Sequence, residues 1–366
     1  MISLSTPKHI AILCSRLDLP GGIERAIANT SALFIQNGHK VSLVILDETA
    51  NSFYPLDSSI HIIQQKLSFG ITKEGNVVSR KIKMLTDVLK LRRILKQLKA
   101  DFVIATEYPF AIAAILTGAK KHSKILSWEH HHYYELEKNG FWEGLFKLSY
   151  PKLDAVVCLN KDEKKIFESL NQNPVVIPNF IRMAAEPLPK SHHFLLTIAR
   201  MDPVKGIHLL LETAAIVLKQ SPGWKWKIIG DGEMKNEVLT FIDKEDIKDQ
   251  LILQPPVNHL VEKEYQQAAI YVMTSENECF PMTLLEAMSA GTPCVAVDCE
   301  TGPRHIIRNN EDGLLVKERT PQKLAEAISS LINDEQKRKR MGEKAFVNIQ
   351  RFSSEKIYQM WGNIFL

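Results

Sequence analysis

No stretch of this chain approaches the ~18 consecutive apolar residues that cross a bilayer, and its opening, MISLSTPKHIAILCSR, lacks the long apolar core of a secretory leader. Both absences point to a cytoplasmic protein. Cysteine is scarce: Cys14, Cys158, Cys279, Cys294 and Cys299 are odd in number and form no C-x-x-C pair. That argues against a disulfide framework and fits a reducing compartment. No G-x-G-x-x-G loop occurs, so a dinucleotide cofactor finds no support. No D-x-D triplet is available to chelate a metal–diphosphate complex. Asp231–Glu233 (DGE) comes nearest and, following KIIG, reads as a strand-end turn. Low-complexity tracts are missing too, and a net charge of +4 over 366 residues is too mild to imply nucleic acid.

What is present is two halves built alike. The first opens with the apolar run HIAILCSR, then LDLPGGIER, a helical pattern from Ile23 to Asn37 stopped by Gly38, and a second apolar run, KVSLVIL. The second opens with HFLLTIAR from His193, then MDPVKG, the helical IHLLLETAAIVLKQ and KWKIIGDG. Near-continuous apolar strands alternating with helices imply parallel sheets covered on both faces. The pattern predicts an α/β protein of two Rossmann-like, doubly wound domains, with ligand in the cleft between them at the carboxyl ends of the strands. The proline-bearing VVIPNFIRMAAEPLPKSHH reads as the linker.

Chemistry gathers in the second half. ARMDPVKG places Arg200 just past a strand and Lys205 at the entrance of the next helix, where long cations can meet a phosphate near the positive helix end. In isolation the pair is equally two solvated surface cations. In SENECFPMTLLEAMSAGTP a strand ends at Ser275 and a helix begins after Pro281. The amides of Met282, Thr283 and Leu284 are then unpaired donors suited to a diphosphate. Glu278 lies on the loop before that helix and Glu286 within its first turns, so the two carboxylates can grip two separate hydroxyl-bearing parts of one ligand.

ENECFPMTLLEAMSAGTPCVAVDCETGPRHIIRNNEDGLLV closely resembles the retaining, nucleotide-sugar-dependent glycosyltransferases of family 4, which have the GT-B fold. GGIER, ARMDPVKG, IGDGE and the C-terminal RFSSEKIYQMW fit the same pattern, and the resemblance covers essentially the whole chain. It implies an N-terminal acceptor-binding domain over 1–180 and a C-terminal nucleotide-sugar-binding domain over 181–350. The segment 351–366 would form a helix crossing back to the first domain.

The resemblance also implies site roles. Glu278 would contact the donor sugar and Glu286 the nucleotide ribose, while Arg200 and Lys205 neutralise the diphosphate. Phe280, Pro281, Met282, Thr283 and Leu284 would complete the donor site. Gly21 and Gly22 would form the loop that closes over the phosphates, and His130 of LSWEHHHYY would line the sugar pocket, with His131 and His132 as competitors. A metal on that histidine triplet is disfavoured, because adjacent residues of an extended chain point to opposite faces. No protein nucleophile is evident. The implied reaction is a metal-independent front-face displacement, in which a donor phosphate oxygen takes the acceptor proton.

The expected donor is a UDP-sugar carrying hexose or N-acetylhexosamine, and the expected acceptor a growing, lipid-linked or free, bacterial surface glycan. Cys279 and Ala199 stand where the family usually has glycine, and Pro255 replaces a glycine beside the nucleobase, removing a backbone donor. Two alternatives remain: a noncatalytic nucleotide-sugar-binding subunit, or a GT-B sugar-nucleotide epimerase. The pyridoxal lysine motif of a phosphorylase is not found.

SRKIKMLTDVLKLRRILKQLKA carries an apolar stripe, Met84, Val88, Leu91, Leu95 and Leu98, among many cations with only Asp87 opposing them. Residues 80–99 read either as an ordinary Rossmann helix with a solvated basic face or as a helix docking on an anionic membrane at the inner face of the plasma membrane. The aromatic HHYYELEKNGFWEGLF lines the acceptor side or, on the favoured reading, packs beneath a loop.

Overall fold

A computed structural model describes residues 6–47, 51–69, 76–136, 138–181, 193–256 and 261–366. The chain divides into two compact units, one of Met1–Asn179 with Ser354–Leu366, the other of Phe180–Ser353. Most of the expected linker, 182–192, lies outside the described residues.

The first unit runs β1 (His9–Cys14), α1 (Gly22–Gln36), β2 (Lys40–Ile45), β3 (His61–Gln64), α2 (Val77–Leu98), β4 (Phe102–Ala105) and α3 (Tyr108–Leu116). It continues with β5 (Lys124–Glu129), α4 (Gly140–Ser149), β6 (Ala155–Cys158), α5 (Lys161–Phe167) and β7 (Pro174–Val176). Its seven-stranded sheet has the order β3-β2-β1-β4-β5-β6-β7, with every pairing parallel. Residues of β1, β2, β4, β5 and β6 are buried almost throughout because helices cover both faces of the sheet, which is why they read as unbroken apolar runs. Gly38, at φ +84°, closes α1 in the left-handed region that favours glycine.

The second unit comprises β8 (Phe194–Ile198), α6 (Ile207–Gln220), β9 (Lys225–Ile229), α7 (Lys235–Lys244), β10 (Leu251–Gln254), α8 (Val261–Gln267) and β11 (Ile270–Met273). After these come α9 (Met282–Ser289), β12 (Cys294–Val297), α10 (Pro303–Ile306), β13 (Gly313–Val316), α11 (Pro321–Ile332) and α12 (Glu335–Ile349). The sheet order β10-β9-β8-β11-β12-β13 is all parallel and reverses direction between β8 and β11. That is the doubly wound arrangement whose switch point is the expected ligand position. Thr197 ties the switch together, donating to Val272 O (2.9 Å) and accepting from Trp226 Nε1 (3.1 Å).

The chain ends in α13 (Ser354–Phe365), which belongs to the first unit. Its Trp361 meets Phe34 and Trp128 edge to face, with centroids 5.4 and 5.5 Å apart. Tyr358 Oη lies 2.9 Å from His39 Nε2.

Two readings of helices are sharpened. In α2 the stripe Met84, Val88, Leu91 and Leu95 is buried in the core of the first unit, as an ordinary Rossmann helix requires. Within the aromatic segment, Trp142 and Phe146 are buried, and Phe146 stacks on Tyr150 at 3.6 Å, so packing accounts for them. Phe141 and Tyr134 of the same segment are exposed.

Candidate active site

The loops after β8 and β11 flank the switch point of the second sheet, and they carry the expected cations and carboxylates. Past β8, Asp202 caps a single turn of 3-10 helix, Pro203–Lys205, by accepting from Lys205 N at 3.1 Å. Asp202 also pairs with Nε of the exposed Arg200. Gly206 then enters α6 at φ +66°. A Cβ there would fall 2.1 Å from Thr274 O, so the two loops approach as closely as glycine allows. Thr274 Oγ1 donates to Lys205 O (2.9 Å), and Glu276 N donates to Val204 O (2.8 Å), which stitches the loops together.

Lys205 Nζ lies 2.8 Å from Glu278 Oε1, and the same oxygen accepts from Ser275 Oγ at 2.8 Å. Both side chains are about a fifth exposed, at 22% and 17%, so the pair is shielded yet reachable. The backbone of Glu278 is held from behind: Thr301 Oγ1 donates to its carbonyl at 2.6 Å, and Gly302, at φ +66°, leaves room for that carbonyl where a Cβ would come within 2.4 Å.

Pro281 caps α9, with Met282 as its first residue. The Met282 and Thr283 amides precede any helix carbonyl that could accept from them. The Leu284 amide does not share that freedom: it donates to Pro281 O at 3.2 Å, because the first turn tightens into an i to i−3 bond. The expected three free amides are therefore two. Met282, Leu284, Phe280 and Pro281 are buried, and Phe280 meets Phe352 edge to face at 5.3 Å, so these four side chains pack the loop from within. Glu286 is buried within α9. Of the departures from the family pattern, Cys279 is a buried loop residue, and Ala199 O approaches Gly230 so closely that a Cβ on Gly230 would lie 1.9 Å from it. Pro255 directly follows β10.

In the first unit the strand alternation separates the histidines. His130 and His132 are buried, while His131 is exposed. The His130 ring lies 4.3 Å from that of Trp128, and its Nε2 is buried without a hydrogen-bond partner among the described residues. Burial, with a smaller push from His131, lowers its imidazole to about 3, so it is neutral. His132 Nδ1 bonds the buried Glu163 carboxylate at the start of α5.

Gly21 caps α1 and Gly22 begins it. The Glu24 side chain folds back over this end so tightly that a Cβ on Gly21 would fall 2.1 Å from Glu24 Oε2. Burial raises the Glu24 carboxyl, and it also raises Glu107, which hydrogen-bonds Ser15 across the β1–β4 switch point. Sequence reasoning missed Asp202, Ser275, Thr301, Gly302 and Glu24. The cap in D-P-V-K and the glycine of T-G-P-R were the available signals.

Each unit is thus a doubly wound α/β domain, and the second carries a cation–carboxylate pair at its switch point, the expected ligand position of such a sheet. Residues 20–184 match the family described as Glycosyltransferase Family 4, and residues 180–347 match Glycosyl transferases group 1. The chain belongs to these glycosyltransferases and has their GT-B fold. It is 33% identical over 287 residues to an exopolysaccharide phosphotransferase of Streptomyces coelicolor, a match covering 77% of this chain but only 30% of that longer protein. It is 26% identical to an amylovoran biosynthesis glycosyltransferase of Erwinia amylovora, over 97% of this chain and 99% of that one. Among solved structures, a glycine-to-arginine mutant of S. aureus TarM, in complex with fondaparinux, alpha-GlcNAc-glycerol and UDP, superposes with a TM-score of 0.78 at 17% identity, covering 98% of this chain and 99% of that one.

Proposed function

We propose that this glycosyltransferase moves a hexosyl or N-acetylhexosaminyl group from a UDP-sugar to a hydroxyl of a growing bacterial surface glycan, with retention at the anomeric carbon. The observation that carries the reading is the Lys205–Glu278 pair at 2.8 Å, set beside the free amides that open α9. Each of the two expected cations rests on a carboxylate, Arg200 on Asp202 and Lys205 on Glu278. A diphosphate entering here draws both cations onto its oxygens and leaves Glu278 free to accept hydroxyl hydrogens from the donor sugar. Glu286, one helix turn deeper, takes the ribose.

The acceptor oxygen forms its bond to the anomeric carbon on the face from which the diphosphate departs. The carbon–oxygen bond to the diphosphate breaks, and the acceptor proton passes to a phosphate oxygen. Charge on the leaving group is met by Arg200, Lys205 and the Met282 and Thr283 amides, so no metal is required. His130 contributes a neutral imidazole to sugar recognition.

The names of the relatives, an exopolysaccharide phosphotransferase and an amylovoran glycosyltransferase, support a surface glycan as product, and the UDP bound to TarM supports the nucleotide. The experiment is donor hydrolysis across UDP-, GDP- and ADP-sugars in EDTA, repeated with Glu278→Ala and Lys205→Ala. Release of UDP from one or two donors, lost in both variants, is the expected result. Free sugar appearing at full rate without any acceptor would favour the epimerase. Nucleotide binding with no donor consumed, even with lipid-linked saccharides present, would favour a noncatalytic subunit.

A further inference from the structure

Helix α2 carries a second apolar stripe that its core-facing one conceals. Val78, Ile82, Leu85 and Leu89 follow one another at i, i+4, i+7 and i+11, so they share one face of the helix. All four are between 55% and 66% exposed. Cations border this stripe: Lys81, Arg92 and Arg93 are exposed within about 70° of its centre at ~100° per residue, and exposed Lys96 continues the stripe itself.

The helix's one acidic residue is turned away. Asp87 is buried, accepts from the Ser68 and Phe69 amides at 3.0 and 3.1 Å, and holds Lys83 and Lys90 at 3.9 Å. Among the described residues, the outward face of α2 thus bears cations and apolar side chains and no carboxylate. It continues onto α4, where Phe141 and Leu148 are exposed on one face and Lys81 Nζ sits 5.9 Å from the Phe141 ring. Glu143 of α4 is balanced by Lys147 at 3.3 Å.

We propose that this face of the first unit docks on a bilayer bearing anionic headgroups. Val78, Ile82, Leu85, Leu89 and Phe141 enter the acyl boundary, and the bordering cations meet the lipid phosphates. Charge decides between a membrane and a second copy of the chain. A two-fold contact through this face would set the same cations against one another, whereas an anionic surface complements them. Lysine and arginine stems are long enough to reach headgroups while the apolar stripe sinks beneath them.

The test needs no enzymatic readout. The full chain is sedimented with phosphatidylcholine vesicles and with vesicles one third phosphatidylglycerol, at low and physiological ionic strength. Binding is expected on the anionic vesicles only, weakened by salt. Ile82→Gln/Leu85→Gln/Leu89→Gln and Lys81→Glu/Arg92→Glu/Arg93→Glu/Lys96→Glu should each lower the partition coefficient on the order of tenfold or more. Melting temperature and the thermal shift produced by UDP report that both variants remain folded. Equal sedimentation with both vesicle types, or unchanged binding by the variants, overturns the proposal. So does a concentration-dependent dimer that the apolar variant dissolves while the wild type ignores vesicles.

Discussion

Lys205 Nζ and Glu278 Oε1 are 2.8 Å apart although 73 residues separate them in the chain, one after β8 and the other after β11. The pair spans the point where the sheet order reverses, and under the proposed function each partner is the charge that the other gives up to a diphosphate or a sugar. Removing either partner leaves the other without its counter-ion in a shielded loop, so effects on stability and on turnover have to be separated.

Lys205→Ala is expected to lower donor turnover by roughly 10²–10³-fold, the scale of losing one donor aimed at developing negative charge. Glu278→Gln should cost less, since an amide still accepts from Ser275 Oγ and from sugar hydroxyls. The check is kcat and KM for both single variants and the double variant. If Lys205 acts on the transition state, its loss appears in kcat, and the double variant is less damaged than the product of the singles. Strict additivity would show that the two residues act on different parts of the ligand and that their mutual contact carries no coupling.

A second prediction concerns the backbone behind Glu278. Gly302→Ala combines a left-handed φ of +66° with a Cβ only 2.4 Å from the Glu278 carbonyl, which must then move. Gly118→Ala is the matched control: its φ is +75°, but nothing lies within 4 Å of the added methyl. Each substitution is expected to cost about 1–3 kcal/mol of stability through strain. Only Gly302→Ala should also lose donor turnover, because only it displaces the site loop. Thermal unfolding and donor hydrolysis on both variants check this; equal loss of activity in the two would mean that strain rather than position is responsible.

Much of this was legible in the chain. The strand–loop–helix order of both halves follows from apolar runs that must be covered on two faces, and Pro281 announces the start of α9 because a residue without an N–H is tolerated at a helix entrance and not in its interior. Three things were not legible, each for a physical reason. Which of His130, His131 and His132 turns inward depends on the phase of the chain leaving β5, and three identical residues carry no phase. The Leu284 amide is spent on Pro281 by a local tightening of one turn that no residue type signals. In α2 two apolar stripes obey the same spacing, and only packing against β-strands decides that Met84, Val88, Leu91 and Leu95 go in while Ile82, Leu85 and Leu89 stay out.

The last prediction follows from the burial of His130. Its imidazole is lowered from an ordinary 6.5 to about 3, with desolvation the larger cause and His131 the smaller. In the unfolded chain the ring takes a proton once the pH falls below about 6.5, whereas the folded chain refuses it until about 3. Through that window the unfolded state binds more protons, so stability rises with pH, by about 1.4 kcal/mol per unit for this one group. His130→Gln removes the group, and denaturant unfolding measured from about pH 6 down to about pH 4 should show a slope shallower by one proton. The neighbouring Glu129, whose carboxyl burial raises, contributes with the opposite sign, losing stability as pH rises, and is common to both proteins. Parallel slopes would mean that His130 titrates in the folded chain as it does in the unfolded one, and would overturn the neutral buried imidazole. A one-proton difference would fix it as a neutral imidazole, able to exchange hydrogen bonds with sugar hydroxyls through its unpaired Nε2 but unable to neutralise a phosphate.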